Sequence, residues 1–144
     1  MNVSVTLDQK SLDNTLIALK TFGKDAEKVI KEVVNATAYD IETDAKMKIK
    51  ADDHVVTSRL RSSIHAEREA NKAFGYSDLL GNSFDGGLYE NFGALEAIVG
   101  TNVEYGPKIE YEYDPFLSFA AEKNRNKFIQ RMTDKLNALI NKKG

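Results

Sequence analysis

The longest regular pattern of apolar positions in the chain runs from residue 24 to residue 50. Small and apolar side chains recur there at steps of three and four, and neither glycine nor proline interrupts them. This spacing predicts an amphipathic α-helix. At the rise of an α-helix it would be roughly 40 Å long, so we expect part of it to extend past the body or to contact a neighbouring subunit. The positions of the stripe are Ala26, Val29, Ile30, Val33, Thr37, Ile41, Ala45 and Ile49.

Two other segments carry a helical pattern. Residues 11–22 predict a helix of about three turns that ends at Gly23, where glycine can adopt the left-handed conformation. The second begins after Pro115, a helix-starting proline, and runs to about Asn141. Its apolar stripe is formed by Phe116, Phe119, Ala120, Phe128, Met132, Leu136, Leu139 and Ile140.

Shorter elements lie between these helices. Apolar and polar residues alternate over 2–7 and weakly over 64–70, and residues 94–101 contain Ile98 and Val99 and end at Gly100 and Thr101, which together predict three strands. A helical turn is expected over 57–64, capped by Thr57 or Ser58. Another is expected from Asn102 to Ile109, with Asn102 as its cap and Pro107 in its first turn.

Residues 71–93 are rich in glycine and aromatic residues, and contain five of the nine glycines of the chain. Glycine weakens long regular elements, so the pattern predicts a strand, an extended loop and a strand. We expect this loop to be mobile in the free subunit and ordered by assembly. Its candidate contact residues are Phe74, Tyr76, Phe84, Tyr89 and Phe92.

The order of elements predicts a single α+β domain over residues 1–144. In this fold an antiparallel sheet is packed by the long central helix and by the C-terminal helix. The chain has no cysteine, which excludes disulfides and thiolate chemistry. The first residues lack a signal-peptide pattern, and no apolar run approaches the ~20 residues that span a bilayer. We therefore expect a soluble protein without a membrane partner.

Charge is nearly balanced overall but unevenly distributed. The net charge is −2, which argues against a dedicated nucleic-acid-binding protein. Residues 122–143 carry seven basic and two acidic side chains, whereas residues 104–114 carry four acidic and one basic. The basic helix face is either solvated or in contact with an acidic partner subunit or passing DNA. The candidate contact residues are Glu104, Glu110, Glu112, Asp114, Lys123, Arg125, Lys127 and Arg131.

No arrangement of residues predicts catalysis or a cofactor. Asp52, Asp53 and His54 carry groups that can bind a metal, but such a polar cluster is usually solvated. His65 has no acidic partner that the sequence fixes, and is expected to be a surface or hydrogen-bonded histidine. Glu110, Glu112 and Asp114 would share one face if extended. Ser58, Ser62 and Ser63 lack a nucleophile elbow, and no phosphate-binding loop is present.

Three segments resemble the HK97 gp10-like family of tailed-phage neck and tail-completion proteins. The first resembles its threonine-glycine-x-leucine-arginine-x-serine-isoleucine signature, the second its valine-glycine-threonine strand and following helix, and the third the proline-phenylalanine-leucine start of its closing helix. The segments are Thr57–Ile64, Val99–Tyr111 and Pro115–Ala120. The residues at motif positions are Thr57, Leu60, Arg61, Ser63, Tyr105, Glu110, Pro115 and Phe116.

The chain departs from the family pattern at four positions. Ser58 replaces the usual glycine, and Val56 stands where aspartate is common. Glu112 replaces the glycine after the glutamate-aromatic pair, and Phe119 replaces a proline. These departures leave the fold intact and concern the turn geometry at Thr57 and Tyr111.

The resemblance implies a structural protein without enzymatic activity, located in the virion and assembled in the host cytoplasm. It implies a homo-oligomeric, hexameric ring at the head-tail junction, which completes the tail tube and docks it to the head connector, with the genomic DNA passing through the lumen. A stopper ring on the head side of the neck is the alternative within this class. The alternative from another class is a small nucleic-acid-binding module that uses the basic C-terminal helix.

Overall fold

A computed structural model describes residues 1–5, 20, 22–51, 58–68 and 73–143 of the chain. These residues form an α+β fold with two antiparallel sheets, a long central helix and a C-terminal helix, as predicted. The elements in chain order are β1 (Asn2–Val5), α1 (Lys24–Ala51), α2 (Arg59–Ser63), β2 (His65–Arg68), β3 (Gly75–Ser77), β4 (Ser83–Asp85), β5 (Ala97–Gly100), α3 (Gly106–Lys108), a π-helical turn (Ile109–Tyr113) and α4 (Phe116–Lys143).

The main sheet has three antiparallel strands in the order β1-β5-β2. The central strand β5 is buried along its whole length, and its Val99 is paired with Val3 of β1 and with Ala66 of β2. Alternation along the strands sends one set of side chains toward the helices and the other set, which includes His65 and Glu67, to the opposite face. The sheet is therefore covered on both sides at its centre.

The two long helices pack against each other and against one face of this sheet. Helix α1 contacts all three strands, and α4 lies beside α1 and contacts β1. Phe116, Leu117 and Ala120 at the start of α4 are completely buried with Ile30 and Ile49 of α1. The core therefore lies between the sheet and the α1-α4 pair.

A side chain of α1 covers the outer edge of β2. The backbone N–H of Ala66 donates to Oε1 of Glu42 at 2.8 Å. An edge strand normally presents such donors to solvent or to another chain. Here the helix supplies the acceptor, so this edge is closed within the chain at Ala66.

Most predicted elements are confirmed. The long helix differs from the predicted span by one residue, and the closing helix continues two residues past Asn141. The three predicted strands are present; the one predicted over 94–101 is shorter, and the ends of the other two at residues 6–7 and 69–70 lie outside the described residues. Gly23 has a φ of +54° and precedes α1, which confirms the left-handed conformation expected there. The predicted helix over 11–22 lies almost entirely outside the described residues.

Residues 73–93 are more regular than expected. Strands β3 and β4 pair with each other as a hairpin, with only residues 78–82 between them. The predicted order of strand, loop and strand is therefore present, but the loop that joins the two strands is short. The mobility of the segment in the free subunit stays a prediction.

The structure differs at three places from what the sequence suggests. Asn102 does not cap a helix, because α3 follows Tyr105 and the Asn102 amide donates instead to the carbonyls of Asp85 and Gly87. Ser58 precedes α2 without a side-chain capping bond. The chain over 109–113 is helical and not extended, so the carboxylates of this segment do not share a face: Glu110 is buried and Glu112 is exposed.

Gly100 tests the packing of β1 on β5. A Cβ at this position would lie 2.3 Å from the backbone oxygen of Met1 and 2.9 Å from Cα of Asn2. We expect Gly100→Ala to displace β1 and to lower the free energy of unfolding by about 1–3 kcal/mol, measured by urea denaturation. Gly93→Ala is the matched control, since its Cβ would meet no atom closer than 4.0 Å. Equal stability of the two variants would contradict this account of the strand contact.

Candidate assembly surfaces

Hydrogen bonds join the first two segments of the family resemblance, Thr57–Ile64 and Val99–Tyr111. The Ser63 hydroxyl donates to the Leu60 carbonyl at 2.6 Å and lies 2.5 Å from Oγ1 of Thr101. Since a carbonyl only accepts, the Thr101 hydroxyl must donate to Ser63. Thr101 Oγ1 in turn accepts the Val103 N–H at 3.1 Å. Leu60, Ser63 and Thr101 are all buried, so this network fixes α2 against the chain that follows β5.

Arg59 connects the same two segments at the surface. Its guanidinium donates to both carboxylate oxygens of Glu104, at 2.8 and 3.0 Å. It also lies 4.3 Å from the ring centroid of Phe84 and 5.9 Å from that of Tyr105. The hydrogen bond from Arg59 lowers the pKa of Glu104, and the bond to Glu104 raises the pKa of Arg59. Glu104 is therefore paired within the chain.

Ser58 has a left-handed backbone, with a φ of +63° and a ψ of +9°. Side chains with a Cβ rarely adopt this conformation, whereas glycine does so without strain. The family signature carries glycine here. The turn is thus preserved in this chain at some cost in backbone strain.

Aromatic rings attach the β3-β4 hairpin to β2. His65 stacks on Phe74 with 3.8 Å between ring centroids, and the stack continues through Tyr76 to Phe84. Of the five aromatic contact candidates, these three rings therefore pack mainly within the chain. Tyr89 is 81% exposed, and Phe92 is partly buried.

His65 and Glu67 form a buried pair on β2. Nδ1 of His65 lies 2.8 Å from the Ser63 carbonyl, to which it must donate, and Nε2 lies 2.6 Å from Oε2 of Glu67. That oxygen also accepts the Leu88 N–H at 2.8 Å. The prediction of a hydrogen-bonded histidine is confirmed. Its acidic partner was missed, although two residues apart on a strand means the same face.

A cavity of about 800 Å³ lies between this pair and the hairpin. Glu67, Asp85 and Glu90 contribute carboxylates to its lining, and Phe74 and Phe84 contribute aromatic rings. The Tyr89 hydroxyl donates to Asp85; this bond and the Gly87 N–H lower the pKa of Asp85. Glu67 and Asp85 therefore have internal partners, and residues 75–90, which include the hairpin, carry no basic side chain.

The tip of the hairpin exposes two adjacent leucines. Leu79 and Leu80 are 70% and 74% exposed. Oδ1 of Asp78 accepts the N–H groups of Leu80 and Asn82, at 2.9 and 3.0 Å, and Gly81 has a φ of +85°. The two exposed leucines therefore lie in a turn whose backbone is ordered by hydrogen bonds. Sequence reasoning missed these leucines, although an aspartate before them and Gly-Asn after them are turn signals.

Glu110 caps the last helix. Its carboxylate accepts the backbone N–H groups of Leu117 and Ser118, at 2.8 and 2.9 Å, and the Ser118 hydroxyl. Asp114 is also buried, and Lys48 Nζ lies 3.3 Å from its Oδ1. Because both carboxylates are used inside the chain, neither is available as a surface contact. Glu112 is the exposed acidic residue of this segment.

The basic face of α4 pairs with acidic residues of α1. Lys127 and Arg131 lie 3.5 and 2.7 Å from Oδ2 of Asp40, and Lys123 lies 3.5 Å from Asp44. Sequence reasoning missed these partners. The sequence does contain a sign of them: the acidic residues of α1 and the basic residues of α4 are both spaced by four positions. This spacing places each set on one face of its helix, so the charges of two facing helices can meet. Much of the positive charge of α4 is therefore balanced within the chain.

A groove of about 230 Å³ lies between β1, α1 and α4. Val5, Ile41 and Phe128 form apolar parts of its lining, and Arg125, which is exposed, lies on α4. Thr37 also lines it: the residue is 2% exposed, and its hydroxyl has no hydrogen-bond partner in the described part of the chain.

The other residues at motif positions differ in how far they are exposed. Tyr105 precedes α3 and is 38% exposed. Arg61 is half-buried, and Pro115 is an exposed residue before the fully buried Phe116. Thr57, and the Asp52, Asp53 and His54 cluster, lie outside the described residues. Over the residues with described positions there is no group of three metal-binding side chains and no helix long and apolar enough to cross a membrane.

Replacement of Glu110 tests the cap of α4. We expect Glu110→Ala to lower the free energy of unfolding by about 2 kcal/mol, because one buried and one part-buried N–H group lose their acceptor at a helix N-terminus. Urea denaturation measures this change. Glu112→Ala is the control, and an exposed substitution should stay within about 0.5 kcal/mol. Similar losses in both variants would show that Glu110 is not a cap.

Titration of Glu104 tests its pairing with Arg59. Because the folded-state pKa is lowered from the usual 4.5, the contribution of this carboxylate is fully present above that pH and is lost as the pH falls through the folded-state pKa. In Arg59→Gln the Glu104 pKa should return toward 4.5, as measured by carboxyl NMR. The pKa of Asp85, whose partners are Tyr89 and Gly87, should not change. An unchanged Glu104 titration would refute the pairing.

Comparison with protein families gives one match, to the family described as "Bacteriophage HK97-gp10, putative tail-component", over residues 13–111. These residues include α1, both sheets apart from β1, and most of the π-helical turn; α4 lies beyond them. No curated protein and no solved structure gives a significant match. The match covers more than half of the chain and includes the Thr57–Ile64 and Val99–Tyr111 segments. The chain therefore belongs to the HK97 gp10-like family of phage tail components.

Proposed function

We propose that this phage tail component forms a closed ring at the head-tail junction, where it completes the tail tube and docks it to the head connector. The family supports a structural protein of the phage tail, located in the virion. A tail component is not an enzyme class. The ring, its six-fold order and its position at the neck are the additional elements of the proposal.

One observation carries the ring: two different candidate contact surfaces lie on opposite sides of the three-stranded sheet. The acidic hairpin with its exposed leucines is attached on the β2 side, and the groove beside α4 includes β1. Contacts between two different surfaces of identical copies are heterologous, and they produce a ring when the rotation closes. A two-fold dimer would instead need one self-complementary surface.

The proposed position of the ring at the head-tail junction is based on the family resemblance. Tail-completion rings of this family meet the tail tube protein on one side and the connector or stopper on the other, and the DNA passes through the lumen. A separate nucleic-acid-binding function is less favoured, because Lys123, Lys127 and Arg131 already pair with α1.

Electron microscopy of the purified protein with isolated tail tubes tests the proposal. We expect a ring at one end of each tube, and we expect phage that lacks the gene to accumulate tails that do not join heads. Supplying the gene in trans should restore joining. Rings that bind isolated heads but not tubes would assign the stopper position instead. Normal virions from the deletion phage would refute a role at the junction.

A further inference from the structure

We propose that the tip of the β3-β4 hairpin of one copy docks into the groove between β1, α1 and α4 of the next copy. This inference rests on the ring proposed above and names the surfaces that build it. The hairpin tip consists of residues 78–82, and the groove is the one that Thr37, Ile41 and Phe128 line.

The tip has the properties of an inserting element. Its two leucines expose about three quarters of their surface, although burial of each such side chain is worth roughly 1.5–3 kcal/mol. The Asp78 carboxylate holds the turn through the N–H groups of Leu80 and Asn82. Since the turn is already ordered by these bonds, docking costs little conformational entropy.

The groove offers an apolar surface on which the exposed leucines of the tip can be buried. Its apolar lining accepts leucine side chains, and a polar group in it is unsatisfied: the Thr37 hydroxyl is buried and has no hydrogen-bond partner among the described residues. A buried hydroxyl without a partner is unfavourable. If docking shifts the side chains that cover this hydroxyl, a backbone carbonyl of the inserted tip can accept its proton. The groove is therefore incomplete in the isolated chain in both shape and hydrogen bonding.

The charges of the two surfaces are complementary. Residues 75–90 carry three acidic side chains (Asp78, Asp85 and Glu90) and no basic one. Residues 122–131 of α4, which border the groove, carry four basic side chains and one acidic. Lys123, Lys127 and Arg131 face α1, whereas Arg125 lines the groove itself, together with one acidic residue, Glu122. Arg125 is thus placed to meet the acidic hairpin, which would favour this orientation of two copies.

The positions of tip and groove favour a ring over a pair. The hairpin belongs to the β2 side of the sheet and the groove includes β1 at the other edge. Each copy can therefore donate its tip to one neighbour and accept a tip from another. Successive contacts of this kind have a constant direction, and they close when the rotation per copy divides a full turn.

Cysteine cross-linking tests this contact directly, because the chain has no cysteine of its own. We expect the double variant Leu80→Cys, Ala121→Cys to form a disulfide ladder under mild oxidation, which ends at one closed species whose size gives the ring order. Leu80→Cys alone should give dimers at most. The control pair Tyr111→Cys, Ala121→Cys keeps the groove cysteine but moves the other to a different exposed position. Equal ladders from both pairs, or no ladder from the first, would overturn the inference.

Mixing two defective variants tests the direction of the contact. Leu79→Ser with Leu80→Ser removes the tip, and Ala121→Trp fills the groove. Each alone should self-associate about 100-fold more weakly than the unaltered chain. An equimolar mixture still contains one intact tip and one intact groove, so it should form a heterodimer and nothing larger, as measured by light scattering. Full assembly of either variant alone, or a mixture that stays monomeric, would overturn the inference. Unchanged melting of both variants at low concentration excludes misfolding.

The two proposals fail differently. If the unaltered chain forms rings that cap tubes while tip and groove variants assemble normally, the docking inference fails and the neck function stands. If the ladder and the heterodimer form but rings never bind tubes or heads, the docking contact stands and the position at the neck fails.

Discussion

A buried carboxylate fixes the first turn of helix α4, the point at which this helix enters the core. Glu110 accepts the N–H groups of Leu117 and Ser118, which have no partners within the helix, and its negative charge lies at the positive end of the helix dipole. With the start fixed, Phe116 and Leu117 enter the core. The facing charges then meet in order, with Lys123 at Asp44 and Arg131 at Asp40. The antiparallel pair of α1 and α4 therefore begins at this capped turn and continues through the core and the ion pairs.

The elements themselves could be predicted from sequence because their signals are local. An unbroken stripe without glycine or proline is sufficient to predict α1, alternation is sufficient to predict β1, and the apolar pair Ile98 and Val99 before a glycine is sufficient to predict β5. The contacts that define the candidate surfaces are not local. Arg59 and Glu104 are 45 positions apart, and Lys123 and Asp44 are 79 apart. Counting charges therefore identified an acidic and a basic segment, but could not show that Glu104, Asp114, Lys123, Lys127 and Arg131 pair inside the chain.

The family signature can now be interpreted in physical terms. Leu60 is part of the core, Ser63 and Thr101 share a hydrogen-bonded network, and Ser58 occupies a left-handed turn that glycine would adopt freely. These positions maintain the fold. The exposed residues that fit a role in assembly, Leu79 and Leu80 above all, lie outside the signature segments. A resemblance based on the signature thus identifies the scaffold and leaves the contact surfaces to be found from exposure and burial.

The Glu42 carboxylate at Ala66 has a consequence for how copies of the chain can meet. A neighbour that approached the outer edge of β2 would find this backbone donor already occupied, so extending the sheet from chain to chain there would first require the helix carboxylate to move. Strand addition of that kind continues without limit, because every added strand offers a new edge. By obstructing it, α1 directs association toward side-chain surfaces, where the number of copies can be finite.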